Sequence, residues 1–184
     1  MRIEPARILD FDCESRPLTY LGSDYTTAEI TAIACSFGLN KPIMCWLLGR
    51  DEPRDILINF VEQYDQADIV TGHFIRRFDL GLINGALLEY GMPPLSPKLT
   101  IDTKCDLVPM RDISKSQESI GAMLGTKQGK THMTQKDWRE ANRLERIEAA
   151  EKRVKTDVRQ HQQMRLELTK LGMLGSPQVW CAGK

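Results

Sequence analysis

The chain has 184 residues, 41% of them apolar, which is enough to bury one sizeable core and requires no second domain. Its 25 basic and 25 acidic residues cancel and the pI lies near 6.8, so no global basic field advertises a nucleic-acid partner. Any such partner must be held by local patches or by metal. Five cysteines (Cys13, Cys35, Cys45, Cys105, Cys181) are odd in number and contain no CxxC pair, which fits free thiols in a reducing compartment better than disulfides or zinc. With no apolar leader run and no stretch of membrane-spanning length, the reading is a soluble cytoplasmic protein without a membrane partner.

In chain order, Ile8, Leu9 and Phe11 predict a buried strand that ends in Asp12-Cys13-Glu14. Residues 17–27 are turn-rich. Residues 29–37 and 43–48 predict two more strands, joined as an antiparallel hairpin through Gly38-Leu39-Asn40-Lys41. Asp51-Glu52-Pro53 reads as a helix start, with Ile56, Leu57, Phe60, Val61 and Tyr64 at helical spacing after it. Residues 67–71 form a short apolar strand, residues 76–90 a helix stopped by Gly91-Met92-Pro93-Pro94, and residues 99–103 a fifth strand. Ser116 caps a helix that ends at Gly125, with Ser119 and Ile120 expected to turn inward. Residues 126–136 read as a basic surface loop. Residues 137–171 are helical in pattern, with a break expected after a short first helix around Trp138. Residues 173–184 form a tail that Val179-Trp180 docks onto the body.

Chemistry concentrates in three of these segments. Alternation along the first strand puts Asp10, Asp12 and Glu14 on one face and Leu9, Phe11 and Cys13 on the other. Two carboxylates two residues apart at a strand's exit can bind one divalent cation, and hard oxygen ligands suit magnesium or manganese. An edge strand showing its acids to water is the plain alternative. The second segment, Gly72-His73-Phe74-Ile75-Arg76-Arg77-Phe78-Asp79, leads from a strand end into a helix, and Asp79 falls in the first helical turn, where it stabilises the helix whether or not it has another duty. In the third, Val154, Val158, Met164, Leu168 and Leu171 form the inward stripe of the long helix, with Asp157 and His161 on or beside it. A salt bridge of Asp157 to Arg153 and a histidine satisfied in the core are the plain accounts there.

Taken together the three segments resemble the DEDD superfamily of 3′→5′ exonucleases over roughly residues 7–171. Asp12-Cys13-Glu14 matches the superfamily's first motif. Thr71-Gly72-His73 through Phe78-Asp79-Leu80 matches the second, and Asp157-Val158 the third. Ile101-Asp102-Thr103 and Ser116-Gln117-Glu118-Ser119-Ile120 through Leu124-Gly125 also look like the family's intervening strand and helix. The chain departs from the pattern twice. Phe74 stands where the second motif usually carries asparagine, and Arg153 and Lys152 stand where the third usually carries the tyrosine or histidine that orients the attacking water.

The resemblance implies an α/β, ribonuclease H-like fold, a five-stranded mixed sheet flanked by helices with a long C-terminal helix, in one exonuclease domain spanning residues 1–184. Small phage or bacterial stand-alone members look most similar. It also implies two Mg2+ or Mn2+ ions: Asp12 bridging both, Glu14 and Asp157 completing the tighter site, and Asp79 holding the second partly through water. The substrate would be the 3′ end of a nucleic acid, DNA favoured over RNA, delivered by a replication or repair protein as partner. His161 is the first candidate for the missing base and Lys152 the second. Lys127, Lys130, His132 and Lys136 are candidate phosphate contacts, offsetting a site whose four acids repel one another. A ribonuclease or structure-selective nuclease of the same fold, and a silent nucleic-acid- or protein-binding module that kept the acids, are the alternatives.

Overall fold

The structure is a computed structural model, and it describes residues 5–18, 26–126 and 144–183. Three strands open the chain: β1 (Ile8–Pro17), β2 (Ala28–Ser36) and β3 (Met44–Leu47). They are followed by α1 (Pro53–Gln66), β4 (Ile69–Gly72), α2 (Asp79–Glu89), β5 (Lys98–Asp102) and α3 (Gln117–Met123). The long helix α4 (Leu144–Lys170) and a last strand β6 (Gln178–Trp180) complete the order. The strands form one mixed sheet in the order β3-β2-β1-β4-β5-β6, antiparallel except for β1/β4 and β4/β5. This is a ribonuclease H-like arrangement. It has one strand more than the sequence predicts, because the tail pairs along β5 through Leu99–Val179 instead of merely docking.

The two faces of β1 explain the layering. Leu9, Phe11 and Cys13 point into the main core under α1 and α2, where the Phe11 ring packs tilted against Phe60 with centroids 5.1 Å apart. The opposite face carries Asp10, Asp12 and Glu14, and its neighbours on β2 are small: Asp12 pairs with Ala34 and Glu14 with Ala32. These alanines let α4 lie close, and Ala150, Val154 and Val158 pack on Ala32, Ala34 and Leu47. Met164 and Leu168 continue the stripe over Ile120 of α3, whereas Leu171, expected to belong to it, is 59% exposed because the helix has already ended. The expected break near Trp138 lies outside the described residues.

Two local differences matter for the site. Helix α2 begins at Asp79, three residues later than the periodicity predicts, because Phe74 adopts φ 72° and its N–H and that of Arg76 donate to the Asp102 carboxylate. Gly72, at the end of β4, has no room for a side chain: a Cβ there would stand 2.8 Å from the Phe11 carbonyl oxygen and run into Ile75 Cγ2. The strand carrying the second motif therefore sits against the strand carrying the first. Among the described residues no helix is long and apolar enough to cross a membrane.

Candidate metal centre

Four elements meet at a cleft of about 650 Å³ beyond the end of the β1/β4 pairing. β1 contributes Asp12 and Glu14, the turn before α2 contributes His73, Phe74 and Phe78, the first residue of α2 is Asp79, α3 contributes Gln117 and Glu118, and α4 contributes Arg153 and Asp157. Each of Asp12, Glu14 and Asp157 offers a carboxylate oxygen within 4.8 Å of the other two. Alternation on the strand and the turn of the helix produce this convergence, since α4 crosses the acidic face of β1 and presents Asp157 beside Val154 and Val158. Three hard oxygens at such spacing can hold a divalent cation, and the residues present fit an ion of the class that the resemblance implies.

Asp79 lines the same cleft but stands outside the mutual group of three. Its carboxyl is pushed well above the ordinary aspartate range, first by burial and then by Asp12, while the N–H groups of Asp79 and Cys13 act against the shift. Burial and a like charge therefore outweigh the favourable field of the helix N-terminus. Asp12 and Glu14 are half-buried; Asp157 is 3% exposed.

Arg153 is the surprise in the third motif's helix. Its Nη2 lies 2.9 Å from Asp157 Oδ2, one turn along α4, and both residues are buried. The sequence alone offers this pair as a plain account of Asp157; the structure contains both the pair and the three-acid group. Gln117 of α3 donates from Nε2 to the Asp157 backbone oxygen at 3.1 Å and lines the cleft. It reaches there because Gly121 lets α3 come against Gln160: a Cβ at Gly121 would stand 2.6 Å from Gln160 Nε2. The sequence places Gln117 on this helix but gives it no role.

His161 goes elsewhere. It is 2% exposed, its Nδ1 stands 3.2 Å from Asp10 Oδ1, and it is not among the residues lining the cleft. The reason is a match of periods. Four helical residues advance about 6 Å and two strand residues about 6.6 Å, so with Asp157 over Asp12 and Glu14, His161 falls over Asp10. Asp10 is fully buried and accepts from Arg165 Nε at 2.8 Å, Arg165 Nη2 at 3.0 Å and Gln162 Nε2 at 3.3 Å. Despite burial, which raises its pKa, His161 and Arg165 hold its carboxyl below the usual value. Lys152, the second candidate base, is not among the lining residues either. Lys127, Lys130, His132 and Lys136 lie outside the described residues.

The second motif builds the opposite wall. Asp102 accepts from the backbone N–H groups of Phe74, Arg76, Lys104 and Cys105, and these bonds hold its carboxyl low in spite of burial. The loop so fixed carries Phe74, with Lys104 Nζ 3.9 Å above its ring, and Phe78, 53% exposed. His73 Nδ1 meets Thr103 Oγ1 at 3.1 Å, and burial, with His161 nearby, pushes the imidazole down to about 4. The Asp-Thr strand is thus a brace for the loop. Lys104, which the sequence reading passes over, follows it directly into the cleft.

No protein-family model and no curated protein matches the chain. Among solved structures it is similar to a family B DNA polymerase from the hyperthermophilic archaeon Pyrobaculum calidifontis, with a TM-score of 0.70 and 16% identity. That likeness covers 90% of this chain and 25% of the polymerase chain. At this identity it shows the fold, and the chain spans only a quarter of its neighbour's length.

Proposed function

We propose that the chain hydrolyses phosphodiester bonds at the 3′ end of a nucleic acid, DNA rather than RNA, with Mg2+ or Mn2+ held by Asp12, Glu14 and Asp157. The observation that carries the reading is the convergence of these three carboxylates, up to 145 positions apart in sequence, within 4.8 Å in a cleft of a ribonuclease H-like sheet. Such an ion supplies an activated water near neutral pH and offsets charge on the phosphate. Asp79 extends the acidic wall from the side of the second motif. Phe78 and the Phe74–Lys104 pair give an unpaired base a ring to stack on and its phosphate a cation, the combination that grips single strands without reading sequence. Lys127, Lys130, His132 and Lys136 would add phosphate contacts. The likeness to a DNA polymerase supports a nucleic-acid substrate and DNA as its form.

The test is digestion of four 5′-labelled oligonucleotides, single- and double-stranded DNA and RNA, with Mg2+, Mn2+ or EDTA. The reading expects a ladder shortening from the 3′ end, fastest on single-stranded DNA and abolished by EDTA. Internal cuts would favour a structure-selective nuclease, faster loss of RNA a ribonuclease, and binding without products in any metal a silent module.

A further inference from the structure

Arg153 places a permanent cation inside the acidic group. It is 8% exposed, lines the cleft, and sits 2.9 Å from a carboxylate oxygen of Asp157. A guanidinium keeps its proton in proteins, so this charge cannot titrate away. Five carboxylates line the cleft, from Asp12, Glu14, Asp79, Glu118 and Asp157, against the ammonium of Lys104 and this guanidinium among the described residues. Three of the five lie within 4.8 Å of one another, and repulsion at that spacing needs a cation close by.

We propose that Arg153 is a resident counter-cation of the metal group, a positioning residue that holds Asp157 when no ion is bound and then competes with the ion for it. The proposal rests on the reading of Asp12, Glu14 and Asp157 as a metal centre. A guanidinium on Asp157 Oδ2 and a divalent ion on the same carboxylate repel each other across a partly buried cleft, so Arg153 sets the group's affinity below that of the acids alone. A purely structural ion pair makes the opposite forecast. Removing it would leave Asp157 poorly aimed, and metal would bind more weakly. The sign of the change separates the two.

The experiment is calorimetric titration of the full chain with Mn2+ in the parent, Arg153→Met and Arg153→Lys. Arg153→Met should bind Mn2+ at least about tenfold more tightly than the parent, and Arg153→Lys, which keeps the charge, within about threefold of it. Equal or weaker binding by Arg153→Met overturns the proposal and leaves the metal reading intact; no Mn2+ bound by either protein at millimolar concentration overturns both. Should Arg153→Met fail to fold, the parent decides through NMR of its arginine side chains, with the Arg153 Nε–H signal identified by its loss in Arg153→Lys. That signal should move during a Mg2+ titration with the midpoint of the calorimetric curve; a signal that stays fixed overturns the proposal.

Discussion

Asp10 and Asp12 share one face of one strand, two residues apart, yet they meet different chemistry. Asp12 opens on the cleft, whereas Asp10 is sealed under α4 by Arg165, Gln162 and His161. Alternation makes both acids legible as a pair in the sequence, and leaving Asp10 out of the metal shell needs only its position ahead of the motif. Its partner cannot be read locally, because the arginine that meets it comes 155 positions later. Arg165→Met should cost about 3–5 kcal/mol in urea denaturation, since it leaves Asp10 buried without its main cation. The double variant Asp10→Leu with Arg165→Met should recover most of that loss. A single variant as stable as the parent would mean that this ion pair does not hold the helix in place.

His73 gives a second prediction at this scale. Its folded value of about 4 lies below the ordinary 6.5, so between those pH values the unfolded chain takes up a proton that the folded chain refuses. Its contribution is therefore fully present above about pH 6.5 and is lost as the pH falls towards about 4. Melting temperatures measured across this window should fall more steeply with acid in the parent than in His73→Asn. Parallel curves would contradict the assignment.

At the scale of elements, the second motif shows where periodicity misleads. The apolar spacing of residues 76–90 is helical, but the first three are drawn into a turn by Phe74's left-handed backbone and the Asp102 carboxylate, neither of which has a periodic signature. The sequence reads the strand end, the loop and Asp79 as one motif; it does not reveal that the Asp-Thr strand after α2 ties the loop. Gly72 is the joint, and Gly72→Ala should destabilise the chain by about 1–3 kcal/mol, because backbone of β1 and the Ile75 side chain must both give way. Gly81→Ala, where a Cβ meets nothing within 4 Å, is the matched control and should be neutral or stabilising in the same denaturation measurement. Equal effects of the two substitutions would refute the packing account.

For the whole molecule, the layers follow from which face of the sheet carries acids. Apolar side chains of β1 define the α1/α2 side, and alanines beside Asp12 and Glu14 admit α4 on the other. The order of motifs along the chain is enough to read the fold class and to name Asp12, Glu14, Asp79 and Asp157 as a set, of which the structure gathers three within 4.8 Å and leaves Asp79 on the cleft wall. Two features escape that reading. β6 is three residues of edge pairing with no strand-length signal, and the helix rotation that sends His161 to Asp10 depends on how a helical turn matches a strand repeat. Asp12→Asn tests most directly whether the three-acid group is the site of hydrolysis, in a 5′-labelled single-stranded DNA assay with saturating Mn2+. The parent should shorten the strand from its 3′ end, while the variant, folded and at least as thermally stable without metal, should be slower by about a thousandfold or more. Near-parental digestion by Asp12→Asn, or an undigested strand with the parent, would contradict that role for the group.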